Sequence, residues 1–391
     1  MNNRYLVEVL DKLSSDSDEP ISVVSIIGKS RKGARGCKAA VIDEAIGRNV
    51  FSGLFGEHEG FSTSHGCDLD GYYDDQNHVV FLHVVSPLDS DVLVELTRRH
   101  HKDIHDKGFL KFWPDAQADL IKCLLLVFLV SHIVVVVQPS IHFDLNYIQL
   151  FQLVENARLK CQAQVSEVLS EICDLPTNWI DAGRPCSPRL LFMFEAASSH
   201  KCEVLKNRRK YELFLEDQIY RFLRRSRIIT NICANSLFAV CNQMNFVFIS
   251  TKESCVADPD AFFMQMLLKY CANGAVPTAV TTTTTTNSSS SPGYSSPVRE
   301  PENEDDGHTF YNFLWSHLIV AQTKGFDDNV GRHNVIPVFE RPKVGKFFEV
   351  LKCLRELLYE NSMDGKSLED NLRNLINSED EEEDDYEDEE K

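Results

Sequence analysis

The chain has 391 residues, 43% apolar and 10% aromatic, which is enough for a sizeable core and for more than one folded unit. Its formal charge of −19 is concentrated: the run 379–390 holds eleven carboxylates and no cation, and removing it with Lys391 leaves about −9. An acidic body of this kind excludes general affinity for nucleic acid and leaves room only for a local basic face.

In chain order, residues 21–27 (ISVVSII) are apolar and β-branched apart from Ser22 and Ser25, and read as a buried strand. A glycine-rich turn and a helix near 39–46 follow. Residues 78–85 (HVVFLHVV) read as the second strand and 91–105 as a charged helix. A helix over 114–130 has Pro114 at its start, where a missing amide is harmless. The run 123–137 (CLLLVFLVSHIVVVV) imitates a membrane span. It is shorter than the ~20 residues a bilayer needs, and it turns from Leu-rich to β-branched at Ser131-His132. This predicts a buried helix running directly into a buried central strand, not a membrane segment.

A long helix starts near Asn146, with Leu150, Phe151, Val154, Val165, Val168, Leu169 and Ile172 on its apolar face. Residues 189–195 (RLLFMFE) form another strand. A helix over 211–227 has the apolar stripe Leu215, Ile219 and Phe222, and 236–250 holds two short strands around Asn242-Gln243. Strands alternating with helices require crossover connections and hence a mainly parallel sheet covered on both faces. The expected architecture over 1–275 is a three-layer α/β domain like that of P-loop NTPases and G domains. Residues 276–307, with six consecutive threonines and four consecutive serines, read as a disordered linker. Residues 308–377 predict three helices (308–323, 343–360 and 366–376) packed as a small C-terminal bundle, and 378–391 an acidic disordered tail.

The turn after the first strand invites comparison with the phosphate loop G-x-x-x-x-G-K-S/T, whose lysine reaches the phosphates and whose hydroxyl binds magnesium. Gly28 and Gly33 have the correct spacing, and Lys29 and Ser30 lie between them. The next two positions are Ala34 and Arg35, so the ammonium and the hydroxyl are both absent where the chemistry needs them. Lys29, Lys32, Arg35 and Lys38 supply positive charge without the motif geometry. Downstream, Asp89 stands four residues past the second strand in place of a magnesium-side Asp, and Ala196-Ala197-Ser198-Ser199 replaces a guanine-reading N-K-x-D. Thr63 alone is weak as a switch threonine. The residues Gly28, Lys29, Ser30 and Gly33 therefore read as a vestigial, empty phosphate loop, with no catalytic residue, metal or cofactor. An NTPase working through an atypical loop around Lys29 is the alternative.

His101 and His105, one helical turn apart among cations, read as a solvated face in preference to a zinc site. His132, in the apolar run with Ser131, reads as a hydrogen-bonded core histidine in preference to a triad with Asp144. Lys206, Arg208, Arg209, Lys210, Arg221, Arg224, Arg225 and Arg227 form a basic stretch that suits an acidic protein partner. Without interleaved aromatics, RNA binding through 221–227 is the weaker alternative. Twelve scattered cysteines with no paired spacing, and no apolar block after Met1, point to a reducing, cytoplasmic setting.

Several blocks together resemble the N-terminal, G-domain-like half of the family of the eighth SMG factor of nonsense-mediated mRNA decay. They are VVSIIGKS (23–30), FW followed by the Leu-rich helix and SHIVVVVQP (112–139), RPCSPRLLFMF (184–194), LEDQIYRFLRRSRIITN (215–231) and FLWSHLIVAQTKGFDDNVGR (313–332). The order and spacing of the blocks over about 300 residues carry the likeness. The resemblance implies a nucleotide-free, degenerate G-domain-like fold that forms a heterodimer with the ninth SMG protein. It also implies that this pair docks on a phosphatidylinositol-3-kinase-related SMG kinase and restrains it. Members of the family extend well beyond this length.

Overall fold

The structure, a computed structural model, describes residues 19–30, 37–48, 50–51, 66–196, 201–250, 308–331 and 336–359. Six strands form one sheet in the order β2-β3-β1-β4-β5-β6. They are β1 (Ser22–Gly28), β2 (Asp68–Asp74), β3 (Val79–Val85), β4 (Ile133–Gln138), β5 (Arg189–Glu195) and β6 (Val247–Ser250). All neighbours pair in parallel except β2 with β3. The four central strands are the continuous apolar runs, and they are buried along nearly their whole length, as strands covered on both faces must be.

The helices are α1 (Cys37–Ile46), α2 (Ser90–Arg99), α3 (His101–Lys107), α4 (Phe109–Val130), α5 (Asn146–Ser170), α6 (Thr177–Ala182), α7 (Lys201–Arg225), α8 (Phe310–Thr323) and α9 (Val344–Tyr359). For this strand order the right-handed crossover rule sets α1 on one face of the sheet and α4 and α5 on the other. The membrane-like run is divided as its composition implies: α4 ends at Val130, Ser131 and His132 turn, and β4 begins at Ile133 in the middle of the sheet. Among the described residues no helix is long and apolar enough to cross a membrane.

Several expectations need correction. The strand 79–85 is the third, because 68–74 forms an antiparallel edge strand joined to it through the turn at 75–78; the short polar-apolar alternation of DLDGYYD hid it. The helix expected over 91–105 breaks at His100, which lets Leu96 and Ile104 both reach Phe112 and Ala116. α4 begins at Phe109, five residues before Pro114; the carbonyl left without a donor belongs to Leu110, which is 85% exposed and open to water. Leu223, not Phe222, completes the stripe of α7 with Leu215 and Ile219. Of the two strands expected in 236–250 only β6 forms; the other reduces to one bridge between Ala239 and Arg189.

The expected small C-terminal bundle is also replaced. α8 packs on α1 and the sheet, whereas α9 packs on α4 and α5 on the opposite face. Each helix has an apolar face of its own, and the sheet offers larger apolar surfaces than the two helices could offer each other. The linker 276–307, the helix 366–376, the acidic tail and the end of the domain at 275 lie outside the described residues.

The segment after α8 is pinned by a buried ion pair. Arg189, the first residue of β5, donates from Nε to Asp328 Oδ2 (2.9 Å) and from Nη2 to Oδ1 (2.7 Å). The guanidinium lies 3.8 Å from the centre of the Phe326 ring and donates from Nη1 to His317 Nδ1 (3.1 Å), while His317 Nε2 donates to the Asn245 carbonyl (2.9 Å). At the start of β4, His132 plays a similar part: Nδ1 accepts from the Val23 amide (3.0 Å) and Nε2 donates to the Glu340 carbonyl (2.9 Å). Both imidazoles are held neutral. Burial lowers the His132 pKa to about 4, and burial with the Arg189 charge lowers His317 to about 3.

The sign of the resulting pH dependence follows. The unfolded chain binds protons at these histidines below about pH 6.5 and the folded chain does not, so stability is complete above that pH and falls with acidification. The loss should run at roughly 1 kcal/mol per pH unit for each histidine until the folded pKa values are approached. Urea unfolding between about pH 7.5 and pH 4.5 checks it: the wild type should weaken steadily below about pH 6.5, and His317→Asn should show a shallower slope. A flat profile would show that these histidines are not buried neutral.

Candidate functional site

The phosphate-loop end of the sheet is built first by backbone. Gly28, the last residue of β1, has φ of +121°, and a Cβ there would lie 2.1 Å from the Val137 carbonyl oxygen. That same carbonyl accepts the Lys29 amide at 3.0 Å. Glycine is required because β4 runs against the position where a side chain would start. Gly33, with Ala34 and Arg35, lies outside the described residues.

Lys38, on the first turn of α1, is fully buried. Its ammonium donates to Asp89 Oδ2 (2.6 Å), the Val84 carbonyl (2.6 Å) and the Gly28 carbonyl (3.3 Å). Asp89 precedes α2 and is itself buried; its Oδ1 accepts the Ser30 amide (2.8 Å), and its Oδ2 also accepts the Ser86 amide (3.3 Å). In a working loop, backbone amides and an ammonium converge on phosphate oxygens. Here the donors of Ser30 and Lys38 are spent on a carboxylate of the same chain, which ties the ends of β1 and β3 together.

Lys29 is also engaged. Its ammonium pairs with Asp144 and lies 5.9 Å from the Tyr147 ring centre. Asp144 is held in place by its own amide, which donates to Gln138 Oε1 (3.2 Å), and by the Asn146 amide, which donates to Asp144 Oδ1 (3.0 Å) at the start of α5. The Tyr147 phenol is pushed well above its usual pKa, by burial first and then by Asp144. Three buried polar atoms at this end of the sheet have no partner among the described residues: Ser86 Oγ, Gln138 Nε2 and Tyr147 Oη.

The other constellations do not assemble into chemistry. Ser131 Oγ bonds Ser25 Oγ at 2.6 Å, His132 serves the backbone, and Asp144 faces Lys29, so these three residues are separated. The His101 and His105 rings stack in an exposed position with centres 6.3 Å apart. Among the described residues no group of three or more metal-type ligands is present. On α7, Arg221 pairs with Asp217 at 2.9 Å, while Arg224 turns back to Asn231.

Lys29 and Ser30 follow Gly28 directly at the end of β1. Lys38 and Asp89, read from sequence as a stray cation and a loop acid, are the pair at its centre. Their signals were present: an acid directly before a helix that follows a buried strand, and a lysine facing the sheet in the first turn of the helix after the loop.

The Smg8_Smg9 family model matches residues 16–391. The chain is 28% identical over 371 residues to a Xenopus tropicalis protein named nonsense-mediated mRNA decay factor SMG8, covering 89% of this chain and 40% of that protein. An Aedes aegypti protein of the same name is 26% identical over 355 residues, covering 88% and 37%, and one from Culex quinquefasciatus is 25% identical over 359 residues, covering 90% and 38%. The chain spans about two-fifths of the length of these relatives.

Two substitutions probe the closed loop. Lys38→Met should strand a buried carboxylate and cost about 3–5 kcal/mol, and the double variant Lys38→Met/Asp89→Leu should recover much of that loss. Urea titrations of the two variants check it, and a double variant no more stable than Lys38→Met would rule out the pair as the organising contact. Gly28→Ala should destabilise by on the order of 4 kcal/mol or more, visible as loss of soluble folded protein.

Proposed function

The chain belongs to the Smg8_Smg9 family, and from that premise we propose that it is a non-catalytic regulatory scaffold in nonsense-mediated mRNA decay. In this reading it works in the cytoplasm, forms a heterodimer with the ninth SMG protein, and docks on and restrains the phosphatidylinositol-3-kinase-related SMG kinase. Its scaffold is G-domain-like. The strand order, the antiparallel β2 and the glycine turn directly after β1 support that assignment.

The observation that carries the non-catalytic reading is the capture of the Ser30 amide and the Lys38 ammonium by Asp89. Phosphoryl transfer depends on a lysine, a metal and positioning groups converging on the nucleotide. Here Ala34 and Arg35 occupy the motif's lysine and hydroxyl positions, and the ammonium beneath the loop is neutralised by Asp89. A polyphosphate entering this site would meet that fixed carboxylate and lose the amide of Ser30 to it. Like charge at close range is a barrier to binding. One observation favours a second reading, in which the site keeps weak affinity for a polar ligand: the unpartnered Ser86, Gln138 and Tyr147 atoms at the same end of the sheet.

Size-exclusion chromatography of the chain mixed with the ninth SMG protein tests the scaffold role. Co-elution at about micromolar concentration is expected, and two separate monomer peaks would refute the heterodimer. Titration with labelled GDP, GTP and ATP tests the loop. Magnesium-dependent affinity should be weaker than roughly 1 mM; tighter, magnesium-dependent binding with turnover would replace the scaffold reading by an enzymatic one.

A further inference from the structure

At the far end of the sheet from Gly28, α7 stops in a way that its sequence does not favour. The Ile228 amide donates to the Leu223 carbonyl (3.1 Å) and the Arg227 amide to the Arg224 carbonyl (3.2 Å), with Leu223 and Ile228 both buried. This is the paired terminal hydrogen-bond pattern that places one residue in the left-handed region, a position glycine fills most readily. Here the residue is Arg227, with φ of +57°. An L-residue held there works against local stability, so the position retains a guanidinium where the fold alone would take glycine.

That guanidinium lines a pocket of about 590 Å³ together with Arg224, Thr230 and Asn235, with Ile229 and Ile232 as its apolar walls. The loop that forms the pocket is fixed from beneath. Arg184 donates to the carbonyls of Leu237 (2.6 Å), Ser236 (2.7 Å) and Ala234 (3.0 Å), Ser187 Oγ donates to Cys233 O (2.8 Å), and the Cys233 amide donates to Asn329 Oδ1 (2.9 Å). One turn back Arg221 is neutralised by Asp217, but among the described residues neither Arg224 nor Arg227 has a carboxylate partner. The pocket is therefore cationic and open to solvent, on a loop held from beneath, with the Thr230 hydroxyl spent on the Ile232 carbonyl (2.8 Å).

We infer that this pocket is a docking site for a phosphorylated serine or threonine carried by a protein partner. A phosphoryl group presents three acceptor oxygens and a charge near −2, and it matches two guanidiniums and the Asn235 side-chain amide better than a planar carboxylate does. The isoleucines suit the apolar flank of a peptide. A nucleic-acid strand fits poorly, because the lining has no aromatic platform and the body around it is acidic.

Fluorescence anisotropy with a labelled nine-residue peptide pool centred on phosphoserine or phosphothreonine, against the same pool unphosphorylated, tests the inference. The phosphorylated pool should bind the chain about tenfold or more tightly than its counterpart. Arg227→Gly should lose about tenfold of that affinity while melting at the same or a higher temperature, because glycine suits the left-handed position. Arg227→Asn, which also tolerates that backbone, should behave like the glycine variant. The proposal is overturned by equal binding of the two pools, by no binding of either, or by undiminished binding in both Arg227 variants. It is overturned equally if a dodecamer of uridine, or an unlabelled peptide of residues 379–390, binds the pocket more tightly than the phosphorylated pool.

Discussion

A lysine and an aspartate, both out of reach of water, organise the end of the sheet where a nucleotide would sit. The pairing of Lys38 with Asp89 brings the tips of β1 and β3 and the starts of α1 and α2 to one point. Removing two charges from water carries a large desolvation penalty, and it is tolerable only when every donor and acceptor around them is matched. Here the matching is thorough: two strand-end carbonyls take the remaining ammonium protons, and two loop amides take the carboxylate's other lone pairs. Lys29-Ser30, the described start of the loop, is thereby tied down from within the protein.

The opposite end of the sheet is organised by the same physics with different residues. Arg189 enters the fold at the start of β5 and is matched by Asp328, His317 and the face of Phe326, all from beyond residue 300. Arg184 is matched by three carbonyls of the segment between α7 and β6, and burial lowers its pKa to about 10. These contacts make α8 and the residues after it an integral part of the α/β body. β6, the last strand of the sheet, is finished by Glu212 and Glu216, whose carboxylates accept the amides of Ile249 and Phe246. An edge covered in this way does not offer an open ladder to another chain.

The two ends differ in what they leave available. Around the loop the described cations are answered by acids within hydrogen-bonding reach, Lys29 by Asp144 and Lys38 by Asp89. At the end of α7 Arg224 is answered by neutral groups, the Ile229 carbonyl and Asn231, and among the described residues neither it nor Arg227 pairs with a carboxylate. The two described lysines at the end of β1 and the start of α1 are thus paired, whereas Arg227 at the end of α7 is exposed.

Much of this architecture was legible in the chain. Continuous β-branched runs can only be strands with both faces covered, and helices must connect them in parallel; the change of composition at Ser131-His132 marked the junction of α4 and β4 to the residue. The correct glycines with Ala34 and Arg35 behind them were equally plain. What sequence could not decide was pairing across distance. Lys38 and Asp89 are 51 residues apart and Arg189 and Asp328 are 139 apart, and no local periodicity relates them. β2 was missed because its stability comes from pairing with β3 and not from its own polar composition, and the C-terminal helices were misplaced because their apolar faces do not say which surface will cover them. Local chemistry specified the elements; only the closed fold, in which each buried charge must find its complement, decided which elements meet.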